Sequence, residues 1–315
     1  MAKALVFPGQ GSQFVGMGKA LALAYPNSRQ VFEEVDEALG EKLSEVIWEG
    51  DMDTLTLTRN AQPALMATSM AALNALEAEG VALDKISLAA GHSLGEYSAL
   101  CAAGSMSLDT AARLLRIRGE AMQDAVSPGR GAMAAIIGLG IEEVSDIAKE
   151  ASKIGICEAA NDNDPKQVVV SGQKAAVEAA TEIAKSRGAR RAIILPVSAP
   201  FHCTLMEPAA QRMRSALDES EILEARFPVI SNVRAEPMTF PSEIVDALVR
   251  QITGMVRWRE SVNLLAKSGM VHALEIGPGN VLTGLIRRTE REINCSPVGN
   301  PDQVRNAALL WTDVE

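Results

Sequence analysis

The sequence contains 315 residues, 47% of them hydrophobic and 22% charged, which is the composition of a globular protein that buries a substantial core. Its net charge of −10 argues against non-specific binding to nucleic acid, because such binding requires a basic surface. The four cysteines lack the spacing of a zinc site or a disulfide framework, and no apolar run has the length of a signal peptide or a membrane span, so we expect a cytoplasmic protein that binds no metal, nucleic acid or membrane.

The first 125 residues alternate apolar strands with helices. Residues 4–7 form a predicted strand that leads into a glycine-rich loop, and residues 86–90 form a second strand that ends at Gly91. The predicted helices of this part cover residues 61–78, 93–103 and 108–125. Strands that alternate with helices in this way predict an α/β fold with a parallel sheet.

The middle of the chain changes to the order βαββαβ, which is the pattern of a ferredoxin-like subdomain. Its predicted strands cover residues 131–139, 157–160, 167–171 and 192–197, and its predicted helices cover residues 142–152 and 174–187. A turn is predicted at 161–165, which has the sequence Asn-Asp-Asn-Asp-Pro. We therefore predict a subdomain at 127–198, inserted into a larger α/β domain that comprises residues 1–126 and 199–315.

The end of the chain returns to the larger domain. Strands are predicted at 229–232 and 273–276, and Gly-Pro-Gly at 277–279 predicts a sharp turn. A helix is predicted to follow over residues 281–291. These elements extend the predicted parallel sheet of the larger domain.

Residues 91–95 have the sequence Gly-His-Ser-Leu-Gly, which matches the G-x-S-x-G motif of a nucleophile elbow. The elbow is a strained turn between a strand and a helix, and glycines on either side of the serine remove β-carbons that would obstruct it. The predicted strand before the motif and the predicted helix after it supply the required context. We predict that Ser93 is a nucleophile and that the backbone N–H of Leu94 stabilises the oxyanion. The alternative is a chance match to a short pattern.

A serine nucleophile requires a base, and the chain has three histidines. His92 adjoins Ser93, so its side chain should point away from the hydroxyl group. His272 begins an apolar strand, where a structural histidine is expected. His202 lies where the chain re-enters the larger domain, and elimination favours it as the base.

No acidic residue is singled out as a third member of a catalytic triad. Glu275 and Asp246 are both possible, and the sequence favours neither. Cys203 is a rival nucleophile by residue type alone, because no elbow surrounds it. We expect Cys203 to be a small buried side chain.

Arg118 interrupts the apolar face of the predicted helix 108–125. In a helical projection it lies between Ala111 and Leu114, whereas Arg113 lies on the opposite side. A buried guanidinium group requires an anion. That anion is either an internal Asp or Glu in a structural ion pair, or the carboxylate of a substrate, which arginine binds in bidentate fashion.

With these motifs the chain resembles the acyltransferase family that includes the malonyl-CoA:acyl-carrier-protein transacylases of fatty-acid synthesis and the acyltransferase domains of polyketide synthases. The resemblance covers nearly the whole chain. It rests on motifs in the same order, which are FPGQGSQ at 7–13, GHSLGEY at 91–97, Arg118-Gly119, SAPFH at 198–202, the motif around Gln251 and EIGPGNVL at 275–282. Several long motifs in order are more specific than the serine motif alone.

The resemblance implies an α/β-hydrolase-like large domain with a ferredoxin-like insert. It also implies an activity, the transfer of a malonyl group from malonyl-CoA to the phosphopantetheine thiol of an acidic acyl carrier protein through malonyl-Ser93. This reaction supplies the extender unit for fatty-acid synthesis. No metal or nucleotide cofactor is implied, because the coenzyme A thioester is itself the substrate, and we expect a monomer.

The resemblance also implies roles for particular residues. Ser93 is the nucleophile, and His202 is the general base and acid. The backbone N–H groups of Gln10 and Leu94 form the oxyanion hole. The backbone carbonyl of Gln251 orients the histidine, so that no triad carboxylate is needed.

Two further residues concern the choice of acyl group. The resemblance assigns Arg118 to the malonyl carboxylate. Phe201, directly before the histidine, is the residue typical of malonyl-selective members. An arginine clamp of this kind should favour malonyl over acetyl, because a neutral acyl group leaves the buried guanidinium unpaired.

Docking of an acidic carrier requires local basic groups, since the chain as a whole is acidic. The candidates are Arg187, Arg190, Arg191, Arg287 and Arg288, and the alternative is that these are solvated ends of helices and strands. Two other functions stay open at this point. One is a serine hydrolase with the same elbow, because the sequence does not show whether water reaches the acyl-enzyme. The other is a non-catalytic module that binds the carrier, against which the presence of Ser93, His202 and Arg118 together argues.

Overall fold

The computed structural model describes residues 3–197 and 199–312. The β-strands in these ranges are β1 (Lys3–Phe7), β2 (Ile86–Gly91), β3 (Gly131–Ile137), β4 (Cys157–Asp164), β5 (Gln167–Gln173), β6 (Arg191–Ile194), β7 (Val229–Ile230), β8 (Pro237–Met238), β9 (His272–Ile276) and β10 (Asn294–Val298). The α-helices are α1 (Lys19–Ala24), α2 (Pro26–Leu39), α3 (Leu43–Glu49), α4 (Met52–Thr56), α5 (Thr58–Ala78), α6 (Gly95–Ala102), α7 (Leu108–Asp124), α8 (Ile141–Ala151), α9 (Lys174–Ser186), α10 (Glu207–Asp218), α11 (Pro241–Thr253), α12 (Trp258–Lys267), α13 (Val281–Thr289) and α14 (Pro301–Thr312). Among the described helices, none has the length and apolar character needed to cross a membrane.

A six-stranded sheet forms the centre of the larger part of the molecule. Its spatial order is β10-β9-β1-β2-β7-β8, and all neighbours are parallel except the pair β7 and β8. The central strand β1 is buried along its whole length. Leu5 and Phe7 contribute to the core on one face, and Ala4 and Val6 to the core on the other. The continuous apolar run of β1 therefore reflects a strand that is covered on both faces.

A second sheet has the order β4-β5-β3-β6, and all its pairs are antiparallel. Helices α8 and α9 pack against one face and share a separate apolar core with it. The other face contributes Met133, Ala135 and Val169 to the main core of the molecule. The sequence-based prediction of an α/β protein with a βαββαβ subdomain is therefore confirmed. The exact division at 127–198 stays a prediction, and its last residue, Ser198, lies outside the described residues.

The predicted turn at 161–165 was wrong. Strand β4 continues to Asp164, with two register shifts along its pairing with β5. Its polar residues are tolerated in the strand because they have tertiary partners: Asp162 forms an ion pair with Arg259 at 2.8 Å, and Asp164 pairs with Arg288 at 2.6 Å. Contacts with distant arginines override the local turn preference of Asn and Asp.

Candidate active site

Ser93 occupies a strained turn between β2 and α6. Its φ angle is 53°, in the left-handed region that non-glycine residues rarely adopt. A β-carbon on Gly91 would lie 1.9 Å from the backbone carbon of Gly95, and one on Gly95 would lie 2.3 Å from the carbonyl oxygen of Phe7. The two glycines of the motif are therefore required by close backbone approach. The predicted helix 93–103 in fact begins at Gly95, because Ser93 itself forms the elbow.

Asn232, two residues after β7, holds the elbow in this conformation. Its Oδ1 accepts a hydrogen bond of 2.7 Å from the backbone N–H of Ser93, and its Nδ2 donates one of 2.7 Å to the carbonyl of Gly91. One buried amide thus binds both sides of the strained turn. Sequence reasoning missed Asn232, although a polar side chain beyond the carboxyl end of a parallel strand is a general signal for a site.

His202 lies directly against Ser93. Its Nε2 is 2.8 Å from Ser93 Oγ, and its Nδ1 is 2.8 Å from the carbonyl oxygen of Gln251. A carbonyl can only accept, so Nδ1 carries the proton and Nε2 is free to accept the serine proton. Burial, and then the charge of Arg118, lower the pKa of His202 to about 3. The imidazole is therefore neutral near pH 7, which is the state that a general base requires.

The two acidic residues left open as triad members have other partners. Glu275 accepts hydrogen bonds from the backbone N–H groups of Leu282 and Thr283, at 2.9 and 2.7 Å, and so caps the start of α13. Asp246 lies half-exposed beside Arg214, at 3.3 Å. Neither carboxylate contacts His202, which is oriented by a backbone carbonyl instead.

The remaining histidines and the rival cysteine lie away from the serine hydroxyl. His92 points to the small sheet, where its Nε2 is 2.8 Å from Asn163 Oδ1. His272 is half-buried at the start of β9. Cys203 is fully buried, and its thiol contacts the carbonyl oxygen of Pro200 at 3.1 Å. These positions agree with the sequence-based expectation that His202 alone faces the nucleophile.

Arg118 is buried beside the nucleophile, with only 1% of its surface exposed. Its Nη1 donates to Gln62 Oε1 at 2.7 Å, and its Nη2 donates to Gln251 Oε1 at 2.7 Å and to Ser93 Oγ at 3.1 Å. Within the described ranges, no carboxylate oxygen lies within 4.0 Å of the guanidinium group. Burial lowers the pKa of Arg118, and the nearby Glu96 acts in the opposite direction. The internal ion pair that the sequence left possible is therefore absent from the described residues.

A cavity of about 530 Å³ opens onto Ser93, His202 and Arg118. Its wall also includes Gln10 and Phe201. Met122, Met133, Leu195 and Val197 supply apolar surface. Among the described residues that line it, Arg118 is the only side chain with a full charge at neutral pH. The cavity therefore suits a short acyl group that ends in an anion.

The oxyanion hole stays a prediction. Gln10 follows the end of β1 and lines the same cavity as Ser93, while Leu94 begins the turn into α6 and its side chain is buried. Within the described residues, no cluster of three or more His, Cys, Asp or Glu side chains is arranged to hold a metal ion.

Sequence reasoning missed Gln62 and Glu96 as well as Asn232. Gln62 is buried in α5 and holds Arg118, and Glu96 is buried in α6, where its carboxylate accepts a hydrogen bond of 2.7 Å from the side chain of Gln251. Burial raises the pKa of Glu96 to about 7, although Gln251, Asn232 and Arg118 each act to lower it. Gln62 and Glu96 carry the same sequence signal as Arg118, a polar residue inside an apolar helix.

Comparisons with known proteins agree on one family. The acyl transferase domain family matches residues 4–310. The chain is 47% identical over 305 residues to the malonyl CoA-acyl carrier protein transacylase of Bacillus subtilis strain 168, with 96% of this chain and 95% of the relative covered. The crystal structure of an acyl-carrier-protein-S-malonyltransferase from Bartonella henselae matches with a TM-score of 0.97 and 51% identity, over 99% of this chain and 100% of that chain. A structure of a type II PKS acyl-carrier protein in complex with its malonyl-transacylase contains a chain that matches with a TM-score of 0.95 and 42% identity, over 98% of this chain and 100% of that one.

Proposed function

The chain belongs to the acyl transferase domain family, and from this premise we propose that Ser93, His202 and Arg118 perform its reaction. Its activity is that of a malonyl-CoA:acyl carrier protein transacylase, an enzyme that supplies malonyl-acyl carrier protein for fatty-acid synthesis. The observation that carries the assignment of residues is the contact of Ser93 Oγ with His202 Nε2 at 2.8 Å, beside an arginine that has no carboxylate partner among the described residues.

Acylation begins with the transfer of the Ser93 proton to His202. The freed oxygen attacks the thioester carbonyl of malonyl-CoA, and the backbone N–H groups of Gln10 and Leu94 stabilise the resulting oxyanion. When the tetrahedral intermediate collapses, the C–S bond breaks and His202 returns its proton to the departing thiolate. Coenzyme A leaves as its thiol, and the malonyl group remains as an ester on Ser93.

Transfer to the carrier repeats these steps in the opposite sense. His202 takes the proton of the phosphopantetheine thiol, and the sulfur attacks the ester carbonyl of malonyl-Ser93. The C–O bond to Ser93 breaks, and the proton passes from His202 to the serine oxygen. The neutral state of His202 supports both steps, since each begins with a proton that the imidazole must accept.

Arg118 selects the acyl group. The guanidinium is fully desolvated, and its partners are the neutral amides Gln62 and Gln251, so the carboxylate of malonyl would supply the missing counter-charge. An acetyl group would leave the arginine uncompensated. Phe201, which is 93% buried at the cavity wall, limits the space beside the base and supports a preference for the unbranched malonyl group.

We propose that the acidic carrier docks on exposed basic side chains near β6 and α13. Arg190, Arg191 and Arg287 are exposed there and form no ion pair within 4.0 Å among the described residues, unlike Arg187 and Arg288. Arg187 and Arg288 are exposed too, but they already pair with Glu150 and Asp164. A groove of about 720 Å³ beside α13 is lined by Lys166, Arg287, Arg288 and Arg291. This local basic surface offsets the overall charge of −10.

Three further properties of the chain are proposals. Residues 127–198 would form the inserted subdomain, since every strand of the second sheet lies between them. The enzyme would act in the cytoplasm and as a monomer, since Ser93, His202 and Arg118 already contact one another within one fold and need no residue from a second copy. Light scattering after size-exclusion chromatography tests the monomer directly, and a dimer mass would contradict it.

The competing function is hydrolysis of the acyl-enzyme. To separate the two, the enzyme is charged with malonyl-CoA, freed of excess substrate, and divided between buffer and buffer with holo acyl carrier protein. We expect the malonyl adduct to discharge onto the carrier much faster than into water. Equal loss of the adduct in both samples, with no malonyl-carrier formed, would identify a thioesterase.

A further inference from the structure

Glu96 is a buried carboxylate to which the reaction described above gives no task. It lies in the first turn of α6, three residues after Ser93, and none of its surface is exposed. Within residues 3–197 and 199–312, no lysine or arginine nitrogen lies within 4.0 Å of it, although the charge of Arg118 acts on it from farther away. A buried carboxylate without a direct counter-ion is destabilising, so its presence calls for an explanation.

The hydrogen bonds of the Glu96 carboxylate all converge on one oxygen atom. Its Oε2 accepts from the side-chain Nε2 of Gln251 at 2.7 Å and from the backbone N–H of Asn232 at 3.1 Å. Its Oε1 is buried and has no hydrogen-bond partner among the described residues. The carboxylate therefore acts as an acceptor for two residues that themselves hold the active site.

These acceptors determine which way the amide of Gln251 points. Its Nε2 faces Glu96 Oε2 and also the carbonyl oxygen of Ser93, at 3.0 Å, while its Oε1 faces Nη2 of Arg118 at 2.7 Å. If the amide were flipped, its oxygen would meet two acceptors and its NH2 group would meet the guanidinium. A proton on the unpartnered Oε1 of Glu96 leaves Oε2 free to accept, so the orientation holds in both charge states.

The oriented side chain of Gln251 in turn holds the guanidinium group of Arg118, the proposed carboxylate-binding group. Its side-chain oxygen is one of two amide oxygens that hold Arg118, and it binds the same Nη2 atom that contacts Ser93 Oγ at 3.1 Å. Its backbone carbonyl separately orients His202. Loss of the Glu96 contact would therefore loosen the guanidinium by way of the Gln251 side chain, while the backbone contact with His202 would remain.

We propose that Glu96 is a positioning residue for acyl-group selection: by fixing the Gln251 amide, it directs Arg118 toward the place beside Ser93 where the acyl carboxylate binds. The inference rests on the proposed function of Arg118 as the carboxylate clamp. Its consequence is specific, because acylation by malonyl-CoA depends on the arginine and acylation by acetyl-CoA does not.

The test compares Glu96→Met with Glu96→Gln. The readout is the ratio of the acylation efficiency with malonyl-CoA to that with acetyl-CoA, from quenched-flow mass spectrometry of the intact protein. The methionine removes the acceptor, and we expect the ratio to fall roughly 10-fold or more, as for loss of one hydrogen bond to a charged group. The glutamine can still present an oxygen to Gln251 and Asn232, so the ratio should stay near that of the wild type.

A matched control is Glu275→Met, which removes an equally buried carboxylate that accepts two backbone hydrogen bonds and contacts no residue of the site. It should lower the thermal unfolding midpoint and leave the acyl-group ratio unchanged. If Glu96→Met does not fold, Glu96→Leu serves in its place, because it also removes the acceptor of Gln251 Nε2 and leaves Gln251 and Arg118 intact. That variant should show the same fall in the ratio of malonyl to acetyl acylation.

Arg118→Ala separates failure of this inference from failure of the proposed clamp. If Arg118→Ala abolishes the preference for malonyl and a folded Glu96→Met keeps it, the positioning role of Glu96 is wrong. If Glu96→Gln loses the preference as fully as Glu96→Met does, the hydrogen-bond acceptor is not what matters, and the inference is also overturned. If Arg118→Ala itself keeps the preference, the clamp fails and the inference fails with it.

Discussion

Arg118 and Arg287 carry the same charge in opposite surroundings. Arg118 is 1% exposed and is held by neutral amides beside the nucleophile, whereas Arg287 is exposed at the end of α13 and lines an open groove. A charge in a dry site interacts strongly and over fixed distances, while an exposed charge is screened by water and salt. The buried group is therefore suited to choosing the acyl chain, and the exposed group to attracting the carrier.

The same contrast extends to the groups around each arginine. His202 and Glu96, near Arg118, have strongly displaced pKa values because burial dominates their surroundings. The surface arginines 187 and 288 instead form ion pairs with partners in other elements. Variants at the buried site should consequently have large and specific effects on acylation. Variants on the surface should have small effects on the KM for the carrier, and these effects should depend on salt.

The largest effect is expected from removal of the base. In His202→Ala the serine has no proton acceptor at 2.8 Å, and we expect the acylation rate to fall by roughly 10²- to 10⁴-fold. Binding of malonyl-CoA should persist, since Arg118 and the rest of the cavity wall are unaltered. Rapid-quench acylation combined with calorimetric titration checks both parts. A decrease of less than tenfold would mean that another group serves as the base.

The next effect is expected at the clamp. Arg118→Ala removes the only full charge among the described residues that line the cavity, so acylation by malonyl-CoA should fall by roughly 10²-fold while acylation by acetyl-CoA changes little. Arg118→Lys is the matched control, because it keeps the charge and loses the two-pronged geometry. The rate at which malonyl-CoA acylates Arg118→Lys should lie between the rates of the wild type and the alanine variant. An unchanged preference for malonyl in Arg118→Ala would refute the clamp.

A smaller effect is expected from pH. The pKa of His202 is lowered from its ordinary value to about 3, so the fraction of neutral base stays constant as pH falls through the ordinary range of histidine and decreases only as pH approaches that value. The acylation rate should therefore show no decline with a midpoint near 6.5. Stopped-flow measurements between about pH 5 and pH 8 test this expectation. A midpoint near 6.5 that disappears in a variant of His202 would show that the imidazole is protonated as easily as in water.

Among the variants, the smallest effect is expected from those on the basic surface. Reversal of two charges in Arg190→Glu/Arg287→Glu should raise the KM for the carrier several-fold, and the difference should shrink as salt is added. The preference for malonyl over acetyl should not change, because both residues lie outside the cavity wall. The control is reversal of the charge at Arg113, an exposed arginine that lies on α7. Equal carrier kinetics in the two reversed variants would support the alternative that these arginines are merely solvated.

The sequence predicted the parts of the site that depend on local constraints. The elbow was recognisable because close packing at Gly91 and Gly95 excludes other residues. Arg118 was recognisable because it breaks the periodicity of an apolar helix face. His202 was found by elimination among three histidines, which succeeds only where a residue type is rare.

The parts that depend on contacts between distant segments were not predictable in the same way. Asn232 and Gln62 are single polar residues whose roles depend on hydrogen bonds to positions more than fifty residues away along the chain. The turn predicted at 161–165 was wrong for the same reason, since Asp162 and Asp164 are paired with α12 and α13. Strand β8 has two residues, too few to show a period, whereas β7 lies within the strand predicted at 229–232.

The most direct test of the central claim is the intact mass of the protein after brief incubation with malonyl-CoA, with acetyl-CoA in parallel and with Ser93→Ala as the control. We expect one malonyl adduct, located on the peptide that contains Ser93, with little acetyl adduct and none of either in the alanine variant. A malonyl adduct that persists in Ser93→Ala, or the absence of any adduct in the active wild type, would contradict a reaction through malonyl-Ser93.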